Sequence, residues 1–253
     1  MSFRFDPIAI VHSCFKEKFG IPRQAGLIPE ARGSLEVLPP YDRPEAFREL
    51  EGYSHLWLLW VFDALQPELE TTAPGWRPTV RPPRLGGNRR VGVFASRSPF
   101  RPNPIGLSLV RLLAIDYATP GISLQLQGLD LLEGTPVLDI KPYLPYADRA
   151  AEARAGFAPE APRQTLEVCF SPRVEAYLER QGTDWGGHLR RLIGQILSQD
   201  PRPAYLHRNP TRQAFGMRLY DLDIHWRCHP GQALVTAIEP HAGVARRELR
   251  PHD

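Results

Sequence analysis

Residues 77–106 read RPTVRPPRLGGNRRVGVFASRSPFRPNPIG, a stretch dense in Arg, Pro and Gly. Guanidinium groups bind carboxylates and phosphates through paired hydrogen bonds, and glycine-rich turns expose backbone N–H donors. Such a segment suits capture of an anionic or carboxylated ligand. A long polar loop inside a compact domain is usually either functional or disordered. Order is favoured by Val91, Val93, Phe94 and Ala95 within it, and by the apolar run at 105–113 directly after it. Other stretches also carry polar groups beside Pro or Gly: Pro22-Arg23-Gln24, residues 130–135 (DLLEGT) and residues 139–143 (DIKPY). If these converge with residues 97–103 (RSPFRPN), the pocket mixes arginine with carboxylate. That mixture suits a zwitterionic ligand, such as an amino acid joined to a nucleoside. Each stretch taken alone also reads as a stiff surface turn with solvated charges.

Other constellations are weaker. His225, Cys228 and His229 lie close in sequence, but zinc needs three or four convergent ligands and the next would be the distant His207 or His241. No metal is assigned. Ser98, Asp130 and His55 can be drawn as a hydrolase triad, yet no Gly-x-Ser-x-Gly elbow accompanies them. Neither a dinucleotide Gly-x-Gly-x-x-Gly nor a Walker loop is present.

The elements that must position these loops are mostly strands. Apolar or alternating runs at 5–13, 33–38, 53–62, 91–95, 105–115 and 121–129, and a short one within 130–143, predict strands. Residues 53–62 (YSHLWLLWVF) read as a central strand buried on both faces, with His55 a hydrogen-bonded core residue. A helix is predicted at 41–50, with Asp42 as cap, Glu45 completing a capping box and Gly52 beyond its end. Residues 63–75 form a polar, acidic connection. With so few crossover helices, the fold class is mainly β: a small single-sheet antiparallel β-barrel.

A smaller α+β domain follows the barrel. Residues 165–170 predict a strand, 172–181 a helix, and 185–199 an amphipathic helix with Leu189, Leu192, Ile193, Ile196 and Leu197 on one face. The stretch DPRPAY at 200–205 ends that helix, and a strand at 215–226 pairs with 233–240 across a turn near Gly231. The expected domains are 1–147, a linker at 148–162 with a short helix at 150–155, a second domain at 163–245, and a tail at 246–253.

Composition bounds the rest. The 253 residues are 42% hydrophobic and 23% charged with a net charge of +3, as in a water-soluble globular protein. The mildly basic balance permits a nucleic-acid or nucleotide partner without requiring one. Lysine occurs only at Lys16, Lys18 and Lys141, so arginine supplies nearly all the positive charge. Genome composition could produce the same bias. Cys14, Cys169 and Cys228 are too few and too scattered for a disulfide framework, which fits a reducing compartment. No signal peptide is apparent, and the most apolar window, 56–65, is about half a membrane span and contains Asp63. A cytoplasmic protein is expected.

The stretches PPRLGGNRRVGVFASRSPFRPNPIGLS and DLLEGTPVLDIKPYLPY together resemble the signature of the TsaA-like family, over about residues 5–147. Residues beyond, including DPRPAY, are similar to the C-terminal domain of bacterial members. The resemblance implies an S-adenosylmethionine-dependent enzyme that methylates N6 of N6-threonylcarbamoyladenosine at position 37 of tRNA. It implies a homodimer with the cofactor near the subunit interface, and neither DNA nor a membrane as partner. By motif position the cofactor contacts are Pro22, Arg23, Gln24, Arg97, Leu107, Asp130, Leu131, Leu132 and Glu133. A further family contact pair at the end of the central strand commonly begins with His; here those positions are Asp63 and Ala64. The modified base has a urea-like N–H, so a proton acceptor would help; Asp139 and Tyr143 are the candidates. Arg101, Asn103 and Lys141 could meet the threonyl carboxylate or anticodon phosphates. Arg202 and Tyr205 could hold or stack the anticodon loop, and the arginines from Arg77 to Arg90 read as RNA or interface contacts. An RNA-binding module without catalysis and a small-molecule methyltransferase are the alternatives.

Overall fold

The computed structural model describes residues 3–63, 76–118, 121–162, 165–203 and 213–242. Strands β1 (Ala9–Ser13), β2 (Arg32–Val37), β3 (His55–Val61), β6 (Ile105–Asp116), β7 (Ser123–Gln127) and β8 (Pro136–Pro142) close into a barrel in the order β1-β2-β7-β6-β3-β8. Every pairing is antiparallel, and β1 meets β8 at Ala9↔Val137 to shut the ring. Between β3 and β6 lies a two-stranded ribbon, β4 (Thr79–Val80) with β5 (Val91–Gly92).

Alternation drives closure. Leu56 and Leu58 of β3, Val110 of β6, Leu124 and Leu126 of β7 and Leu35 of β2 point inward and are buried. Each such side chain contributes roughly 1.5–3 kcal/mol by leaving water. The outward residues of β3 are half-buried, not buried, so the expectation of a strand covered on both faces is corrected. The long apolar run of β3 reflects an apolar outer surface. His55 lies on that outer face, hydrogen-bonded to Ser54 Oγ at 2.9 Å, and is not a core residue.

Other expectations also change. Residues 41–50 form no α-helix: two 3₁₀ turns, Pro44–Phe47 and Leu50–Gly52, occupy the region, and Arg43 caps the first without a side-chain bond. Glu49 at φ 69° interrupts continuous helix. Only Val91–Gly92 of the run at 91–95 is extended; Val93–Ala95 is a 3₁₀ turn whose end is closed by Ser96. The linker helix is α1 (Pro145–Asp148), started by Pro145. The predicted helix at 150–155 is absent.

The second unit holds β9 (Glu167–Phe170), α2 (Pro172–Arg180), α3 (Gly182–Ser198), β10 (Ala214–Leu219), β11 (Leu222–His229) and β12 (Gln232–Pro240). Its sheet runs β10-β11-β12-β9, with β9 parallel to β12. The predicted strand at 215–226 is two strands of a tight hairpin, turned at Tyr220 with φ 52°. Leu189, Leu192, Ile193, Ile196 and Leu197 of α3 all lie in the core of this unit, as the helical spacing predicts.

Cys14, Phe15, Ile28 and Ala31, which lie in or beside the connection between β1 and β2, are buried in the second unit's core and not inside the barrel. Phe15 bridges to Leu219, and Cys14 O accepts from the Tyr220 N–H at 2.8 Å. Phe19 stacks on Trp226 with centroids 5.8 Å apart. Leu27 O accepts from Gln199 Nε2 at 3.0 Å, and the Glu30 N–H donates to Gln195 Oε1 at 3.0 Å. The Glu30 carboxylate pairs with His188 at 3.0 Å and with Arg191 at 2.7 Å. The connection bearing Pro22-Arg23-Gln24 is therefore fastened to the second unit on both sides of that triplet, to the β10–β11 hairpin before it and to α3 and its C-terminal end after it.

Candidate functional site

A cleft of about 2260 Å³ runs between this fastened connection, the arginine-rich loop, the linker and the end of α3. Arg23, Gln24, Arg97, Phe94 and Arg202 contribute to its walls. Across it Arg97 Nη1 donates a hydrogen bond to Gln24 Oε1, joining two stretches that lie far apart in the chain. Beneath them sits Asp130, whose carboxylate receives the Ala25 N–H and lies in the field of Arg97. Burial pushes the Asp130 carboxyl above its ordinary 3.8, and the hydroxyl of Ser108, 2.6 Å from Oδ1, opposes that rise. Burial also draws Arg23 below its ordinary value, partly offset by the charge of Asp200. Sequence reasoning expected Arg23, Gln24, Arg97 and Asp130 to converge, and they do.

The loop bearing Arg97 is built from its own serines. Ser96 Oγ donates to Val93 O at 2.8 Å and receives the Ser98 N–H; Ser98 Oγ receives the Phe100 N–H. Arg101 Nη1 donates to Ser96 O at 2.7 Å and to Val93 O at 3.3 Å, while its guanidinium lies 5.7 Å from the Phe94 ring centre. This guanidinium is engaged in bracing the loop. Arg77 lies over Phe100 at 4.2 Å. Asn103 is exposed at the loop's end, where its carbonyl receives the Ile105 N–H.

A second group lies on the outer barrel face. Leu107 of β6, Leu59 of β3 and Asp139 of β8 sit side by side in register, as do Leu109, Trp57 and Lys141. Asp139 pairs with Lys141 at 2.9 Å and accepts the Ile140 N–H. Tyr143 sets its edge against Trp57 and His55. Ile105 and Leu107 are exposed, which leaves an apolar patch around these polar groups.

The remaining expected residues are placed differently. Leu131 is buried in the barrel, with its carbonyl taken by Ser13 Oγ; the Leu132 carbonyl receives Thr135 Oγ1. Glu133 faces His12, Lys16 and the Ser13 N–H, which together hold it below its ordinary value against the opposing effect of burial. Its carboxylate clips the turn to β1. Arg202 closes on Asp200 through two bonds of 2.6 and 2.7 Å and is nearly buried. Pro22 lines the cleft, and exposed Asp63 lies two residues beyond the end of β3. Ala64 and Tyr205 lie outside the described residues. β11 turns Cys228 inward and leaves His225 and His229 on its exposed side.

Sequence reasoning missed Ser108 and Trp60. Trp60 Nε1 donates to Ser108 Oγ at 3.0 Å, and Ser108 donates in turn to Asp130. The available signal was Ser108 itself, the polar residue at an inward position of an otherwise apolar period-two pattern in β6.

The chain matches the tRNA-methyltransferase O N-terminal domain over residues 10–149 and the TrmO C-terminal domain over 163–241. It is 46% identical over 239 residues to the tRNA (adenine(37)-N6)-methyltransferase of Escherichia coli K12, covering 94% of this chain and 99% of that one. It is 48% identical over 248 residues to RcsF of Pseudomonas aeruginosa PAO1, whose name designates an S-adenosylmethionine-dependent methyltransferase; 96% of this chain and all of that one are covered. A crystal structure of TrmO from Pseudomonas aeruginosa superposes with a TM-score of 0.76 at 40% identity, over 94% of this chain and 99% of that chain.

Proposed function

The chain belongs to the tRNA-methyltransferase O family, and we propose that it methylates N6 of N6-threonylcarbamoyladenosine at position 37 of tRNA. The methyl donor is S-adenosylmethionine, which supplies an electrophilic methyl group on a sulfonium. The observation that carries this reading is the junction of Arg97, Gln24 and Asp130 at the cleft. Its chemistry fits that group: a guanidinium for a carboxylate, an amide for polar edges, and a buried carboxylate as acceptor. Pro22 and Arg23 complete that wall, exposed Phe94 offers apolar contact in the cleft, and exposed Leu107 offers it on the outer barrel face. Leu131, Leu132 and Glu133 take part by shaping the turn that carries Asp130.

Methyl transfer from a sulfonium asks mainly for positioning and a dry, preorganised pocket. Asp139 is the preferred group to take the N6 proton, since it is partly exposed on the outer face and Lys141 stabilises its charge. Tyr143 is the weaker candidate. Lys141 and Asn103 meet the threonyl carboxylate or the anticodon phosphates, and the arginine-rich loop before Arg97 tracks the RNA backbone. Arg101 supports that contact by holding the loop in shape. Residues 1–147 form the methyl-transfer domain, and residues 163–245 stabilise it or contact the anticodon loop of the tRNA.

The protein acts as a homodimer through the outer face bearing Leu59, Ile105 and Leu107, which brings that face and its polar groups toward the partner's loop. Acting on tRNA, the enzyme is cytoplasmic; among the described residues no helix is long and apolar enough to cross a membrane. The test is transfer of label from the methyl donor to tRNA with and without the threonylcarbamoyl group. Incorporation into the modified tRNA alone is expected. Binding of both tRNAs with no incorporation into either would overturn the reading in favour of an RNA-binding module, and sedimentation tests the dimer.

A further inference from the structure

Ser108 is the polar member of the inward row of β6, flanked along that row by Gly106 and Val110, and only 1% of it is exposed. Its Oγ lies 3.0 Å from Trp60 Nε1 and 2.6 Å from Asp130 Oδ1. An indole N–H can only donate. The Ser108 oxygen therefore accepts from Trp60, and the single hydroxyl proton is left for Asp130. The first step of the chain Trp60→Ser108→Asp130 is fixed by the indole, and the second runs in this direction when Asp130 is ionised.

Trp60 can occupy its position because residue 106 lacks a side chain. A Cβ on Gly106 would stand 2.2 Å from the indole ring, well inside contact distance. The ring also packs against Phe62, with centroids 4.2 Å apart. The Pro104-Ile105-Gly106 stretch thereby seats the first donor of the chain. Its last acceptor, Asp130, is the carboxylate that also receives the Ala25 N–H beneath the Gln24–Arg97 contact.

We propose that Ser108 is a positioning residue for methyl-donor binding, aimed by Trp60, that fixes the orientation of the Asp130 carboxylate and keeps it ionised in a buried place. The proposal rests on the reading that Asp130 contacts the methyl donor. A lone buried carboxylate would favour its neutral form; a hydroxyl obliged to donate to it works the other way. The groups facing Asp130 are Ser108 from β6, the Ala25 N–H from the fastened connection, and the Arg97 charge from the arginine-rich loop.

The experiment compares Ser108→Ala, Trp60→Phe and Asp130→Asn in the full-length enzyme, reading KM for S-adenosylmethionine, KM for tRNA and kcat. Ser108→Ala is expected to raise the cofactor KM about tenfold, as loss of one hydrogen bond to a charged group does, with tRNA KM unchanged. The acidic limb of kcat/KM for the cofactor should move to higher pH, a shift that loosened packing would not produce. Trp60→Phe keeps an aromatic ring but frees the hydroxyl to turn, and should give a smaller change in the same direction. In the Ser108→Ala, Asp130→Asn double variant the two effects should not add. If Asp130→Asn weakens cofactor binding while both other variants keep the wild-type KM and pH profile, the positioning role is overturned. If Asp130→Asn itself leaves cofactor binding intact, the underlying reading falls and the proposal with it.

Discussion

The two loops that meet across the cleft are held in opposite ways. The connection carrying Pro22-Arg23-Gln24 makes few bonds within itself and is fastened by the second unit, through Ile28 in its core and Gln195 and Gln199 of α3. The loop carrying Arg97 holds itself, through Ser96, Ser98 and Arg101. One wall thus depends on the packing of a whole domain, the other on a handful of local hydrogen bonds. The same contrast separates the two motif arginines. Arg97 reaches across the cleft to Gln24, whereas Arg202 is closed on Asp200 with little exposure. A guanidinium in a ligand-ready motif is available only where no local carboxylate has already taken it.

The largest expected effect breaks the remote wall. Ile28→Ala removes a buried side chain from the second unit's core and should cost about 2–5 kcal/mol in urea unfolding. The folded variant should also bind the methyl donor more weakly, because the Gln24 wall loses its anchor. Unchanged cofactor affinity would show that the second unit does not position this wall. Next comes Arg202→Ala, which removes two hydrogen bonds to the nearly buried Asp200 carboxylate and should cost about 1.5–3 kcal/mol. Here cofactor affinity should hold, and a selective rise in tRNA KM without lost stability would return Arg202 to an RNA-binding role. Arg97→Ala sharpens the other side. It should weaken cofactor binding by calorimetry about tenfold, or ~1.4 kcal/mol, while stability stays within about 0.5 kcal/mol as for an exposed surface change.

This contrast explains what could be read from sequence. The barrel was legible because its strands alternate, as in Gly121 to Leu129, and because convincing crossover helices are few before residue 145. The convergence of Gln24, Arg97 and Asp130 came from motif resemblance, since no local pattern tells a loop which distant loop it will face. The predicted helix at 41–50 failed because a capping pattern cannot register the left-handed turn at Glu49. The predicted strand at 215–226 failed because Tyr220 turns the chain without Gly or Pro to announce it. The fastening of residues 14–31 to the second unit was hidden for a related reason. Phe15, Ile21 and Ile28 are scattered among polar residues, and only tertiary packing shows that they serve another domain's core.

The smallest expected effect is one of pH, and it follows the same division. His188, in the junction that holds the remote wall, is drawn below its ordinary 6.5 by burial, against the opposing pull of Glu30. The unfolded chain therefore takes up the proton first, so this contribution is present above 6.5 and lost as pH falls through the lower folded value. His12, in the barrel clip, is the reverse case. Burial lowers it, but Glu36 at 2.7 Å and Glu133 at 3.0 Å outweigh that and raise it above 6.5. Its contribution is complete below 6.5 and disappears as pH rises through the raised value. Mild acidification should loosen the junction while tightening the clip. In urea unfolding across pH 5.5–8, His188→Gln should remove an acid-side loss and His12→Gln an acid-side gain. The His12 effect is modest, since its side chain is half exposed to screening solvent. If instead both variants change acid-side stability in the same direction, the two histidines do not report on separately held regions. The junction that holds the remote wall and the clip within the barrel would then have no separate thermodynamic signatures.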